Sequence, residues 1–400
     1  MSVTARRGSW RRLTGGPAPL PEETRSGWLT RRHLEIALGL LWLIDGALQF
    51  QPYMFSRAFF VNVLGMAQMG NVPHLVALLN HDISVLMSSH VVAFNTIFAT
   101  TQVAIGIGLL WSRSATIARI ASIAWALGVW SVGEGFGGMF MPGMNPLEGA
   151  PGAVILYAAA TLVLWPRRSE GDAVADVGLL GGIATRVLWT VLWTGTALLE
   201  LEIANNAPNA LSSQLTELAQ GEPAPIAAMD HTVAHLMFGH GTELALLIMM
   251  SQVLIGSWVL RPGTRRLALG AGIAVAGIYW VIGQNFGGIF TGQGTDPNTG
   301  PLLVLLALSL WPRVRAQSCC AVSTRADAQG LDKEHVPSSD HQKESTPELA
   351  VTDYQNEQAH LVGLAVDHHD SDEADMSTIY SGQKASKSKA NTPTPIGPSD

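Results

Sequence analysis

The stretch Trp280-Val-Ile-Gly-Gln-Asn-Phe-Gly-Gly-Ile-Phe290 has a counterpart in Trp130-Ser-Val-Gly-Glu-Gly-Phe-Gly-Gly-Met-Phe140. Trp, Gly, Phe, Gly, Gly and Phe recur in one order, each pair 150 positions apart. Both copies close an apolar run and lead into a loop rich in Gly and Pro. Self-similarity at a fixed spacing marks a duplicated unit, so it governs how the rest of the chain is parsed.

The same offset pairs Pro73 with Pro223, His81 with His231, Met87 with Met237, His90 with His240, Gln102 with Gln252 and Gly106 with Gly256. Upstream, Leu41-Trp42 through Gln49-Phe-Gln51 answers Leu192-Trp193 through Glu200-Leu-Glu202 at an offset of 151. Downstream, Trp165-Pro166 and Trp311-Pro312 close the two units at an offset of 146. Each unit holds four apolar runs. An even number of crossings returns a chain to its starting side, so the units read as parallel repeats and not inverted ones.

Composition agrees with a bilayer as solvent. The chain has 400 residues, of which 48% are hydrophobic and only 14% charged, and its mean hydropathy is above zero. An ordinary soluble domain carries about 25% charged residues. Eight runs, 34–53, 90–111, 117–134, 150–165, 186–204, 240–260, 266–283 and 301–314, reach or approach the ~20 residues of a full span. The expected fold is therefore an all-α membrane protein of eight transmembrane or near-spanning helices, arranged as two parallel four-helix repeats. Its parts are a basic leader (1–33), a first repeat (34–166), a linker (167–185), a second repeat (186–312) and an acidic, disordered tail (313–400). The fourth and eighth runs are short, so either the bilayer thins there or the preceding Gly-rich loop dips inward. Non-helical backbone survives at that depth only inside protein or beside a wet cavity. Gly-interrupted segments at matching places in two repeats also point to a binding site. The outer loops, 54–89 and 205–239, are apolar enough to form amphipathic helices on the bundle.

Charge sets the orientation. No lysine precedes Lys333. The arginines at 31, 32, 113, 119, 167, 168, 186, 261, 265, 266, 313 and 315 all fall at even-numbered connections or at the ends, Arg57 being the exception. By the positive-inside rule both termini lie in the cytoplasm, with the bundle in the cell membrane. Arg11-Arg12 is followed by neither a prompt apolar run nor a cleavage site, so the leader reads as part of a retained signal anchor. The tail holds 8 basic and 14 acidic residues and accounts for most of the net charge of −7. Such a segment buries too little apolar surface to offset its ordering entropy. Cys319 and Cys320 are the only cysteines; adjacent, they form no disulfide framework, and a lipid, a metal or an inert pair all fit them.

Ionisable groups in membrane segments are expensive and hence candidates for function. The first repeat offers Asp45, His81, His90 and Glu134; the second offers Glu200, Glu202, His231, His235, His240 and Glu243. All fall on the outer side in this topology. A ligand site between the repeats would draw on Asp45, His90, Glu134, Glu200, His240, Glu243, Gln284 and Asn285. Glu134 and Gln284 occupy equivalent places, so one half carries a proton or a charge where the other cannot; interhelical hydrogen bonding alone is the plainer account. His231 with His235, and His240 with Glu243, share helix faces. Imidazole and carboxylate suit zinc or copper, and Met87, Met139, Met141, Met229 and Met237 would favour copper(I). Against this, methionine fills gaps in apolar packing, and the first repeat has Val85 and Ala93 where the second has His235 and Glu243. Gly137, Gly138, Gly287 and Gly288 serve either close helix packing or ligand contact, with packing the commoner use. No soluble catalytic signature is present, and the basic residues form no nucleic-acid footprint.

Leu41-Trp-Leu-Ile-Asp-Gly-Ala-Leu-Gln-Phe-Gln-Pro52-Tyr-Met-Phe and Trp125-Ala-Leu-Gly-Val-Trp-Ser-Val-Gly-Glu-Gly-Phe-Gly-Gly138 resemble segments of uncharacterised polytopic membrane proteins of actinobacteria. A fainter similarity, within the four-helix unit, is to DoxX-like membrane proteins. The first resemblance implies a multi-pass inner-membrane protein and brings no activity with it. Three readings follow: a protein that transports or binds a small solute or cation at an outward-facing site between the repeats, requiring no cofactor; a membrane redox protein holding haem, copper or quinone through outer-face histidines; or a non-catalytic membrane partner or assembly protein. The partners expected are the lipid bilayer and a membrane protein or a second copy of the chain, and no nucleic acid.

Overall fold

The structure, a computed structural model, describes residues 29–66, 74–167, 171 and 173–312. Most of the basic leader, the acidic tail and the Cys319–Cys320 pair lie outside the described residues. The described residues are helical and contain no β-strand. The helices are α1 (Arg31–Leu48), α2 (Arg57–Met66), α3 (His74–Ser89), α4 (Val91–Leu110), α5 (Ala115–Val132) and α6 (Ala153–Leu164). They continue as α7 (Gly181–Ala197), α8 (Ala210–Leu218), α9 (Ala224–Met237), α10 (Gly241–Trp258), α11 (Arg265–Ile278) and α12 (Thr299–Leu310).

Among the described residues five helices are long and apolar enough to cross a membrane: α4, α5, α7 extended to Leu201, α10, and α11 extended to Gly283. Their buried faces are narrow. Elsewhere α4 exposes Val92, Ile97 and Ile107, and α5 exposes Ile117, Ile120 and Leu127. Apolar surface on that scale calls for lipid or protein cover. Helix α1 has 18 residues but includes Arg31, Arg32, Glu35 and Asp45, which keeps it out of that group. Helices α6 and α12 have 12 residues each, about 18 Å of rise. Nine of the 12 are buried in each case, so these two short helices are central, and they pack against one another.

Small residues and shared hydrogen bonds hold the bundle. At the α1–α4 crossing a β-carbon on Gly106 would lie 2.9 Å from the Gly39 carbonyl; only glycines let the backbones meet so closely. Trp42 Nε1 donates to Ser122 Oγ (3.0 Å), which pairs with Thr161 Oγ1 (2.9 Å), linking α1, α5 and α6. In the later helices Trp189 Nε1 donates to the Ile255 carbonyl (3.2 Å) and Thr190 Oγ1 to Gly256 (2.7 Å), joining α7 to α10.

At the end of the bundle where α1 starts, Glu35 is buried among Arg31 (3.1 Å), Arg32 (2.9 Å) and the buried Arg119. Arg119 Nε donates to Glu35 Oε1 at 2.8 Å, and its guanidinium lies over the Trp165 ring. Arg32 also donates to the carbonyls of Leu109 and Leu110 at the end of α4. The positive-inside pattern accounts for arginine at these places; it does not foresee that Arg119 is a buried ion-pair partner.

At the opposite end the two halves grip one another's loops. Gln49 and Gln51, after α1, donate to the carbonyls of Thr295 (3.4 Å) and Gly294 (3.3 Å) in the loop before α12. Glu202, after α7, accepts from the Gly143 amide (3.2 Å) in the loop before α6. Glutamine meets a carbonyl in one case and glutamate meets an N–H in the other, so the residue difference matches the backbone group it faces.

Candidate functional site

The decisive motif forms the same knot twice. In the last turn of α5, the Trp130 indole N–H donates to the Pro151 carbonyl at 2.8 Å; just after α11, Trp280 donates to the Pro297 carbonyl at 2.8 Å. Phe136 stands edge-on to Trp130 at 5.0 Å, and Phe286 to Trp280 at 5.1 Å. To turn their rings back, both phenylalanines take left-handed backbone, φ 62° and 59°, which costs of order 1–3 kcal/mol each. Gly137 and Gly287 follow at φ 66° and 79°. A β-carbon on Gly137 would run into the Pro151 carbonyl, and one on Gly287 into Asp296 and Pro297. These glycines therefore abut loop backbone. Gly138 and Gly288 are also left-handed, and side chains there would meet Met144 and Thr291.

Each knot presents a side-chain oxygen to the start of the helix that follows. Glu134 Oε1 accepts from the Val154 amide (3.2 Å) in the first turn of α6. Gln284 Oε1 accepts from the Gly300 amide (3.1 Å) in the first turn of α12. Both satisfy N–H groups that a helix start leaves open. The second atom of each side chain separates them. Gln284 Nε2 donates to Thr299 Oγ1 (2.8 Å) and to the Pro146 carbonyl (3.4 Å). Glu134 Oε2 is buried and, among the described residues, finds no hydrogen-bond donor.

Glu134 lines a cavity of about 270 Å³ at this end of the bundle. Asp45, Gln49 and Gln102 line it from α1 and α4, and Thr295 and Asp296 reach it from the loop before α12. Helices α2 and α3 contribute Phe59, Phe60, Ile83 and Met87, while α4 and α5 contribute Phe98 and Trp125. Asp45 is 1% exposed, and its Oδ1 accepts from the Tyr157 hydroxyl at 2.7 Å. Asp296 accepts from the Asn298 amide (2.7 Å) and from Thr295 Oγ1 (2.9 Å); burial pushes its carboxyl above the ordinary value. Among the described residues no lysine, arginine or histidine lines the cavity. Three carboxyl groups so placed need protons or a cation to balance them, since an isolated buried charge is very costly.

The other residues singled out in the sequence lie apart from this cavity. His90 and His240 precede α4 and α10 as their N-cap residues and are exposed; His90 Nδ1 lies 2.7 Å from Ser89 Oγ. His231, His235 and Glu243 are exposed too. Among the described residues no three His, Cys, Asp or Glu side chains are grouped as a metal would require, so His231, His235, His240 and Glu243 are not brought together. The reason is their register: α9 buries Asp230 and Ala234, and the histidines take other faces. Glu200 is buried, 3.4 Å from Gln252 Nε2, which also donates to the Tyr279 hydroxyl (2.9 Å). Asn285 is buried at φ 44° and donates to Asp230 Oδ2 at 2.8 Å; burial raises Asp230 and the neighbouring Glu222.

Asp296, Gln49, Gln102 and Trp125 were missed as site residues by sequence reasoning. The signal for Asp296 was its place in Asp296-Pro-Asn298-Thr, a turn that ends in a helix cap: Asn298 accepts from the Thr299 amide at 2.7 Å. The chain matches no protein-family model, and neither a curated protein nor a solved structure matches it. The arrangement itself supplies acceptor oxygens, aromatic faces and negative charge in a partly enclosed space.

Proposed function

We propose that the chain is a multi-pass protein of the cell membrane, with eight helices in two parallel four-helix repeats and both termini in the cytoplasm. It binds or transports a small solute or cation at an outward-facing site between the repeats. One observation carries the reading: a cavity bordered by Asp45 and Glu134 from one half and Asp296 from the other, with no basic side chain among the described residues of its walls. The recurring knots at Trp130 and Trp280 support the duplicated architecture. The arginine-bearing end, opposite the cavity, supports the orientation.

The test uses the purified protein in lipid nanodiscs. Its thermal-unfolding midpoint is followed against inorganic cations, amines and neutral solutes, in the native chain and in an Asp45→Asn, Glu134→Gln double variant that elutes as the native protein does. A ligand that binds only the folded state raises the midpoint. At least one cationic class should do so, and the double variant should lose the rise. Ligand responses that survive both substitutions unchanged would overturn the reading.

A further inference from the structure

The walls of the cavity say what kind of cation it suits. Gln49 and Gln102 line it at 5% and 7% exposure, and Oε1 of each is buried without accepting any hydrogen bond. Buried acceptors left open ask for a donor. With the three carboxyl groups, the polar part of the wall is rich in acceptors and carries three ionisable acids with no basic partner among the described residues. A neutral ligand would leave the balance to protons on the carboxyl groups, an ammonium ion supplies it directly, and an anion would be opposed by any of them that ionises. The rest of the wall is mostly apolar, with Phe59, Phe60, Phe98 and Trp125 among its residues. Aromatic faces attract an ammonium group and cover an apolar body, whereas a hard metal ion takes several convergent oxygen ligands. No such convergence of three acidic, imidazole or thiol groups exists among the described residues.

Size narrows the class further. An apolar cavity of about 150 Å³ accepts benzene. One of about 270 Å³ therefore holds on the order of ten non-hydrogen atoms by the same scale. From charge, open acceptors, aromatic lining and volume together, we infer that the cavity takes a primary or secondary organic ammonium ion with an apolar or aromatic body, of arylalkylamine size. This rests on the ligand-binding reading above and specifies its substrate class. The ammonium sits toward Asp45, Glu134 and Asp296, and the apolar body lies against Trp125 and the phenylalanines.

Calorimetric titration of the full-length protein in nanodiscs tests it, with 2-phenylethylammonium as the probe, 2-phenylethanol as its neutral counterpart, and calcium and zinc chlorides as the metal arm. The amine should bind at least tenfold more tightly than the alcohol. Asp45→Asn and Glu134→Gln should each weaken it at least tenfold. Trp125→Phe should keep most of the affinity, and Trp125→Ala should lose it while the far-ultraviolet circular dichroism stays native. Equal binding of amine and alcohol overturns the inference. So does a metal ion that binds in an Asp45-dependent way while the amine does not; the broader reading of an acidic ligand site then stands. If no probe shows binding sensitive to Asp45→Asn or Glu134→Gln, both the inference and the reading beneath it fall.

Discussion

At the scale of single residues, Glu134 and Gln284 show how one substitution divides two similar structures. Both cap the start of a short central helix through one oxygen. In Gln284 the remaining amide group is used up by Thr299 and Pro146, whereas the remaining carboxylate oxygen of Glu134 has no partner among the described residues. Structure is therefore served equally by either residue, and only the carboxylate adds chemistry. The consequence is a separation of stability from function. Glu134→Gln keeps the cap and should cost less than about 1 kcal/mol, within the range of volume-conserving changes. Glu134→Ala removes the cap and should cost about 0.5–2 kcal/mol. Thermal unfolding in detergent ranks them, and a glutamine variant as unstable as the alanine one would refute the capping role. Of the cavity lining, Asp45 and Glu134 stand out in the sequence because carboxyl groups at the ends of apolar runs are rare. Asp296 does not, because it reaches the cavity from more than 240 positions away from Gln49 in the chain, and such a juxtaposition depends on packing.

At the scale of elements, the Trp–Phe–Gly knot is the unit that matters. It ends a long helix, reverses the chain and starts a short one, tied by an indole hydrogen bond of 2.8 Å in both copies. Trp280→Phe and Trp130→Phe remove that bond and little else, so each should cost about 1 kcal/mol, and the two costs should agree. Gly137→Ala should be worse. It places a side chain at φ 66° and against the Pro151 carbonyl, so it exceeds the ~1–3 kcal/mol of backbone strain alone. Comparative unfolding midpoints of the three variants decide this; a harmless Gly137→Ala would mean the loop gives way freely. The helices themselves were readable from apolar runs, because every run long enough to matter contains one. The histidines misled for an elementary reason. Spacing of three or four shows which side chains share a face, but not whether that face is turned inward. His231 and His235 share one and both are exposed. Arg119 shows the opposite failure: position alone made it a topology signal, and its buried pairing with Glu35 emerges only when α1 and α5 are side by side.

At the scale of the molecule, the question is what holds the first and second halves of the chain in one arrangement. The central contact is α6 against α12, and the loops before these helices each cross to the other half. Orientation is testable directly, since Cys319 and Cys320 are the only thiols. With both changed to serine, a single cysteine replacing the exposed Gln293 should react with an impermeant maleimide on intact cells, and one replacing the exposed Ser112 should not. The reverse pattern would invert the proposed topology. The crossing loops should also make the assembly sensitive to pH. Glu148 sits in the loop before α6, and burial, with the Glu217 carboxylate of the other half adding to it, pushes its pKa from 4.5 up to about 7. A carboxyl whose pKa is raised by folding favours the folded state while it is protonated. Its contribution is therefore complete below pH 4.5 and is lost as the pH rises toward about 7. Unfolding midpoints of the native protein should fall across that window, against the acid-labile trend of carboxylates that are paired in the folded state. Glu148→Gln cannot ionise and should flatten this part of the profile, with its largest gain over the native protein above pH 7. If the glutamine variant tracks the native chain at every pH, Glu148 is not a point of strain between the halves, and their registry rests on the packing of α6 on α12 and the loop hydrogen bonds without it.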